Sequence, residues 1–177
     1  MRSVRSRSAG ADMSIDKLPL NFLYCGLIKR ALPQAKIIHL TRHPMDTIYA
    51  IYKQLFKSAY PMSYNLEELT GYYIGYRQLM SHWDKVLPGE IFHLSYEHLV
   101  TNQADKTRSL IDFLGLEWDP ACLAFHKNTD ASTTASATQI RQPVYASSIG
   151  KWENYSRELA PVADLLAQAS IDLEIWE

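Results

Sequence analysis

Lys36-Ile37-Ile38-His39-Leu40-Thr41-Arg42-His43-Pro44-Met45-Asp46 is the stretch that decides the fold. Its first half is apolar with two β-branched residues, which suits a short buried strand. Its second half has helix-start chemistry: Thr41 as an N-cap, Pro44 near the first turn and Asp46 soon after it. A strand that ends on an arginine and turns at once into a helix is a place to hold an anion. Free backbone N–H groups and the positive end of the helix dipole would sit beside the Arg42 guanidinium, an arrangement that suits phosphate. The plainer alternative is an arginine that pairs with a surface carboxylate at a strand end.

Outward from this junction the chain alternates helices with a second strand. Leu18 to Leu32 reads as a mostly apolar helix stopped by Pro33, and Cys25 within it as packed rather than bonded. The helix after Arg42 is expected over Pro44 to Phe56, with Ile48, Ile51, Tyr52 and Leu55 at helical spacing. Asn65 with Glu68 resembles a capping box. It opens a long helix with Leu66, Leu69, Tyr73, Tyr76, Met80 and Trp83 on one side. Pro88-Gly89 ends that segment, and Ile91 to Ser95 reads as a second parallel strand. Helices follow at Tyr96 to Val100, at Gln103 to Leu114 with Gly115 as the C-terminal cap, and at Asp119 to His126. Asn128 to Ser148, rich in Thr, Ser, Ala and Gln, reads as a long loop, and loops of that length are functional or disordered. Trp152 and Tyr155 would anchor its end. Glu158 to Ile175 would be a closing helix carrying Leu159, Val162, Leu165, Leu166 and Ile171.

Four ordered motifs resemble the sulfotransferases that use 3′-phosphoadenylyl sulfate (PAPS), in particular the tyrosylprotein and bacterial tetratricopeptide-linked branch. Asp16-Lys17-Leu18-Pro19-Leu20-Asn21 is similar to the family's Asn/Asp-Lys-x-Pro segment, and Arg42 to Ala50 is similar to its 3′-phosphate motif. Tyr96-Glu97-His98-Leu99-Val100 with Ser109 to Trp118 resembles a further signature. Ser136 to Val144 with Gly150-Lys151-Trp152 resembles the loop that closes over the nucleotide. The 25 positions from Lys17 to Arg42 also fit the tyrosylprotein branch. Ordered motifs of this kind are far more specific together than singly.

The resemblance implies an α/β, P-loop-like doubly wound parallel sheet flanked by helices. It also implies transfer of a sulfuryl group from PAPS, the co-substrate, to a hydroxyl acceptor, a protein tyrosine or a carbohydrate. Lys17 would meet the leaving-group and sulfuryl oxygens, where negative charge spreads during transfer. Arg42 would take the 3′-phosphate, Tyr96 the adenine or phosphate side, and Ser136, Gln139, Arg141 and Lys151 would complete the cofactor set. Two positions depart from the pattern: Ala50 stands where the family has a serine, and Gln54 where the tyrosylprotein branch has a second arginine.

A third departure concerns the first strand and the Gly/Ser/Thr-rich phosphosulfate loop. Met1 to Gly10 has arginines and serines, but no apolar strand before them and no helix pattern after them. The chain therefore reads as the C-terminal portion of a sulfotransferase domain over residues 15–177, with residues 1–14 a disordered or mis-started tail. A tetratricopeptide region upstream in a longer protein belongs to the same expectation. The alternative is a truncated, catalytically inactive sulfotransferase-like module that binds nucleotide or a partner. A nucleotide kinase relative fits the Asp16-Lys17 and Lys151-Trp152 segments less well.

Composition narrows the remaining classes. With 177 residues, 47% hydrophobic and 21% charged, the chain has material for one domain with a real core. A formal net charge of −1 gives no general attraction to nucleic acid or an anionic membrane, so any basic site must be local. Cys25 and Cys122 show no zinc spacing, and no metal motif or membrane-length apolar run is present, which with the composition suggests a cytoplasmic protein. None of the six histidines matches a base position; His39 and His93 are expected in strands, and His43 beside Arg42 near the phosphate region.

Overall fold

The computed structural model describes residues 13–57, 59–127 and 144–173. It divides into two compact units, Met1–Ala35 and Lys36–Glu177.

In the first unit a 3-10 turn, Pro19–Tyr24, leads into α1, Cys25–Ala31. The apolar run expected to form one α-helix is thus split. Its start has Pro19 in the first turn and no side chain to cap the free amides, and the tighter turn results. Cys25 is buried and forms no disulfide among the described residues, whereas Leu23, Leu27 and Leu32 are exposed. Lys29 Nζ donates to the carbonyls of Pro33 (2.7 Å) and Ala35 (3.0 Å) beyond the helix end, where a cation also suits the dipole.

The second unit holds the sheet. β1, Ile37–Thr41, and β2, Ile91–Ser95, pair in parallel, with Ile37 opposite Ile91 and Thr41 opposite Ser95. Between them run α2, Pro44–Tyr52, and α3, Leu66–Val86; after β2 come α4, Tyr96–Thr101, and α5, Gln103–Leu114. A 3-10 segment, Pro120–Lys127, takes the place of the expected helix at Asp119 to His126, and α6, Ala160–Gln168, lies towards the end of the chain. The architecture is therefore α/β, a small parallel sheet flanked by helices, and among the described residues the sheet has two strands.

Several local signals are realised as read. Asn65 Oδ1 accepts the Glu68 amide at 3.0 Å and caps α3. Gly115, at φ 70°, ends α5: the Leu116 amide reaches back to the Ile111 carbonyl and the Gly115 amide to Asp112. Two helices are shorter than the apolar spacing suggested. α2 stops at Tyr52, before a left-handed residue at Lys57. α6 stops at Gln168 because Ser170 turns left-handed (φ 57°), letting the Ile171 amide bond the Leu166 carbonyl and the Ser170 amide that of Ala167.

The core is the seam between α2, α3 and the α6 region: Met45, Ile48, Leu69, Tyr73, Leu159, Val162 and Leu166. The β1 strand, expected to be buried, is covered on one face only among the described residues. Ile38 and Leu40 are exposed, while Phe92 of β2 packs against Phe113 of α5 with ring centroids 5.1 Å apart. On the face towards α3, the paired residues His39 and His93 join Tyr76 and Asp84 in one hydrogen-bonded chain. His93 Nε2 meets Asp84 Oδ1 at 2.9 Å, the two Nδ1 atoms lie 2.9 Å apart, and His39 Nε2 meets the Tyr76 hydroxyl. A carboxylate can only accept, so His93 carries its proton on Nε2. Where His39 donates from Nδ1 to His93, its Nε2 is left as the acceptor for the Tyr76 hydroxyl. Burial, reinforced by His93 and Arg77 and opposed by Asp84, lowers the His39 pKa to about 4, which keeps that ring neutral.

Candidate anion-binding site

Arg42 stands just past the end of β1 and just before α2. Its Nη2 donates to the Ser148 carbonyl and lies 3.7 Å from Asp46 Oδ2, and its Cζ sits 5.4 Å from the centroid of the Tyr96 ring. Among the described residues, Arg42 Nε is buried with no hydrogen-bond partner. An unpaired buried donor costs about 1–3 kcal/mol, and an anion beside the guanidinium is the group that would repay it. The plainer alternative is met in part: Arg42 pairs with a carboxylate 3.7 Å away, but that carboxylate, Asp46, is fully buried rather than on the surface.

The helix start differs from the expectation of open amides. His43, not Thr41, is the N-cap of α2, and its ring Nδ1 accepts the Met45 amide at 3.1 Å. The His43 amide donates to Glu97 Oε1 at 2.9 Å, and Pro44 has no amide to offer. Thr41 is held as the last residue of β1 by the ladder with Ser95, which keeps it from capping. Burial pushes the His43 pKa down against the opposing pull of Asp46, Glu97 and Glu153, so its ring is kept as a neutral acceptor. That ring stacks on Trp152 with centroids 5.4 Å apart.

Opposite this junction lies the turn Gly150-Lys151-Trp152. Gly150 is left-handed at φ 70°, a conformation that favours glycine, and a Cβ there would lie 3.1 Å from Glu153 Oε1. The Gly150 amide donates to Asp46 Oδ2 at 2.7 Å and the Trp152 amide to Asp46 Oδ1 at 3.1 Å. Lys151 is exposed at the head of the turn. Farther on, Tyr155 stacks against Tyr49 of α2 at 5.0 Å. Trp152 and Tyr155 thus anchor this segment as expected.

Of the residues picked from sequence, the structure brings together Arg42 and Tyr96, with Lys151 on the turn that Asp46 holds. Tyr96 donates its hydroxyl to the Tyr145 carbonyl at 2.9 Å, and burial raises its pKa, which keeps it a phenol. Lys17 is exposed in the first unit, in the stretch before the 3-10 turn. Ser136, Gln139 and Arg141 lie outside the described residues. Ala50, four positions after Asp46 and eight after Arg42, is half-buried on α2, and Gln54 is exposed beyond its end.

Sequence reasoning gave no site role to Asp46, Glu97 or the Ser148 carbonyl. The helical spacing of Asp46 from Arg42 was a signal for the first, and the second lies inside the Tyr96 to Val100 motif. A backbone carbonyl leaves no trace in side-chain identity. Among the described residues no group of three or more His, Cys, Asp or Glu side chains could hold a metal ion, and no helix is long and apolar enough to cross a membrane.

Comparison with known proteins gives findings of three kinds. A family model described as "Sulfotransferase family" matches residues 1–120. An uncharacterized protein of Aquifex aeolicus (strain VF5) is 35% identical over 163 residues; the match takes in 90% of this chain but only 21% of that relative's length. Among solved structures, the sulfotransferase domain from the curacin biosynthetic pathway superposes with a TM-score of 0.69 at 17% identity, over 97% of this chain and 67% of that one. Mouse sulfotransferase SULT7A1 complexed with PAP superposes with a TM-score of 0.55 at 12% identity, over 83% and 61%. At those identities the likeness is one of fold.

Proposed function

The chain belongs to the sulfotransferase family, and we propose that it is a nucleotide-binding module of that family which takes the 3′-phosphate end of PAPS. The observation that carries this is Arg42, placed at the end of β1 with a buried Nε that has no partner among the described residues and with its guanidinium over Tyr96. The donor set fits a phosphate: a guanidinium able to give parallel hydrogen bonds, a tyrosine ring beneath it, and the Lys151 ammonium on the facing turn. Ser136, Gln139 and Arg141, which precede that turn in sequence, would add contacts. Mouse SULT7A1, which shares the fold, was solved with PAP, and this supports the choice of nucleotide.

A second reading is favoured by Lys17, exposed within a segment similar to the family's lysine motif. In it the protein catalyses sulfuryl transfer to a protein tyrosine or a carbohydrate hydroxyl, as a member of the tyrosylprotein or tetratricopeptide-linked branch. The chain spans 21% of the length of the curated relative it matches, so this reading concerns a protein that can be longer than these residues.

Titration calorimetry with adenosine 3′,5′-bisphosphate and adenosine 5′-phosphate tests the proposal. The wild-type protein should prefer the bisphosphate, and Arg42→Ala should weaken the bisphosphate by tenfold or more while leaving the monophosphate nearly unchanged, since the lost charged contact is worth about 1.5–3 kcal/mol. Equal loss for both nucleotides would mean that Arg42 acts through folding. Incubation with labelled PAPS and a panel of phenols and sugars separates the two readings: turnover supports the enzyme, and selective binding without turnover supports the module.

A further inference from the structure

We propose that Asp46 is a positioning residue that sets the Gly150–Trp152 turn, and Lys151 with it, against Arg42; the inference rests on the nucleotide-binding reading above. Asp46 is fully buried at the start of α2, four residues after Arg42. Both of its oxygens are committed to the turn, Oδ2 to the Gly150 amide at 2.7 Å and Oδ1 to the Trp152 amide at 3.1 Å. Oδ2 is also the oxygen 3.7 Å from Arg42 Nη2. One carboxylate thus joins two segments more than a hundred residues apart, one carrying the arginine and the other the lysine.

The backbone of the turn is shaped for this. The left-handed Gly150 makes the amides of Gly150 and Trp152 converge, a concavity that accepts an anion, and here the anion is the protein's own carboxylate. Lys151 lies between the two tethered amides and projects to the surface. His43 against Trp152 closes the same seam from the side of α2. A buried carboxylate whose two oxygens each take an amide leaves that turn little freedom, so the backbone that carries the lysine is held in place before any nucleotide arrives.

A purely electrostatic role predicts the opposite behaviour. If Asp46 merely offset the charge of Arg42, removing its charge would strengthen anion binding. If Asp46 positions the turn, Asp46→Asn presents a donor to one of the two amides, loosens the turn and weakens the bisphosphate. The loss from Lys151→Ala should then shrink when Asp46 is already changed, because a lysine that is no longer held has less to lose.

The test uses the full chain, adenosine 3′,5′-bisphosphate calorimetry and amide hydrogen exchange of the Gly150–Trp152 segment. Expected for Asp46→Asn are at least tenfold weaker bisphosphate binding, at least tenfold faster exchange in the segment, and a Lys151→Ala effect smaller than in wild type. Unchanged or tighter binding overturns the proposal, as does faster exchange with binding intact. Should Asp46→Asn fail to fold, Gly150→Ala perturbs the turn from its other end and must weaken the bisphosphate while keeping the Arg42-dependent preference for it; unchanged affinity overturns the proposal. A wild-type protein that binds no bisphosphate overturns the nucleotide reading, and with it the role in ligand positioning. Exchange in Asp46→Asn then shows separately whether the tether exists.

Discussion

His39 shows how much of a residue's behaviour is set by what surrounds it. Its ordinary pKa of 6.5 falls to about 4 because burial disfavours the cation and His93 and Arg77 add repulsion, with Asp84 opposing. The folded-state value is depressed, so the stability that depends on neutral His39 is present in full above about pH 6.5. It is lost as pH falls towards 4, where the unfolded chain takes up a proton that the folded one refuses. Facing groups are His93 on β2 and Tyr76, Arg77 and Asp84 on α3; Tyr73 on α3 adjoins Arg77. The slope from this one proton is at most about 1.4 kcal/mol per pH unit. His43, shifted in the same direction, adds to the fall. His39→Gln, which retains an acceptor for Tyr76, should flatten the decline by close to one proton in urea unfolding at pH 7, 5.5 and 4.5. An undiminished slope would place the linkage elsewhere.

Elements in this protein begin and end where short-range chemistry tells them to. The side chain of Asn65 takes the Glu68 amide at 3.0 Å, one of the amides that a helix start cannot pair within itself. Asn65→Ala should therefore lower stability by about 1 kcal/mol, whereas Asn65→Asp, which keeps the acceptor and adds a charge favourable to the dipole, should be neutral or slightly stabilising. Thermal unfolding followed by circular dichroism reads this as a fall of about 2–4 °C for alanine alone. At α2 the local code misleads. The ladder holds Thr41 in the strand, so the cap passes to His43, and Glu97 takes the amide that an anion was expected to find.

At the scale of the whole molecule, the second unit is held by one apolar seam, and Leu166 lies within it with no exposed surface. Truncation to alanine should cost about 2–5 kcal/mol, from lost transfer energy and the cavity left behind. Because α2, α3 and the α6 region share that seam, the loss should appear in a single denaturant transition displaced to lower midpoint, with the slope unchanged. A separate early transition confined to α6 would show that the seam is not one cooperative unit. The polar chain from Asp84 to Tyr76 joins the sheet to α3 beside it, so that helix is fixed by register as well as by apolar contact.

The sequence by itself determined the two strands, the long α3 with its Asn65 cap, the Gly115 stop of α5 and the motifs that resemble the sulfotransferases. Each of these rests on propensity, periodicity or a cap, and such signals are complete within about ten residues. Tertiary structure alone decided that Asp46 would receive the amides of Gly150 and Trp152, that His39 would face His93, and that Arg42 would lie over Tyr96 with one nitrogen unpartnered among the described residues. In each case the partners are distant in sequence. They meet only because a parallel ladder fixes the register of β1 against β2 and a buried carboxylate must find donors wherever the chain brings them.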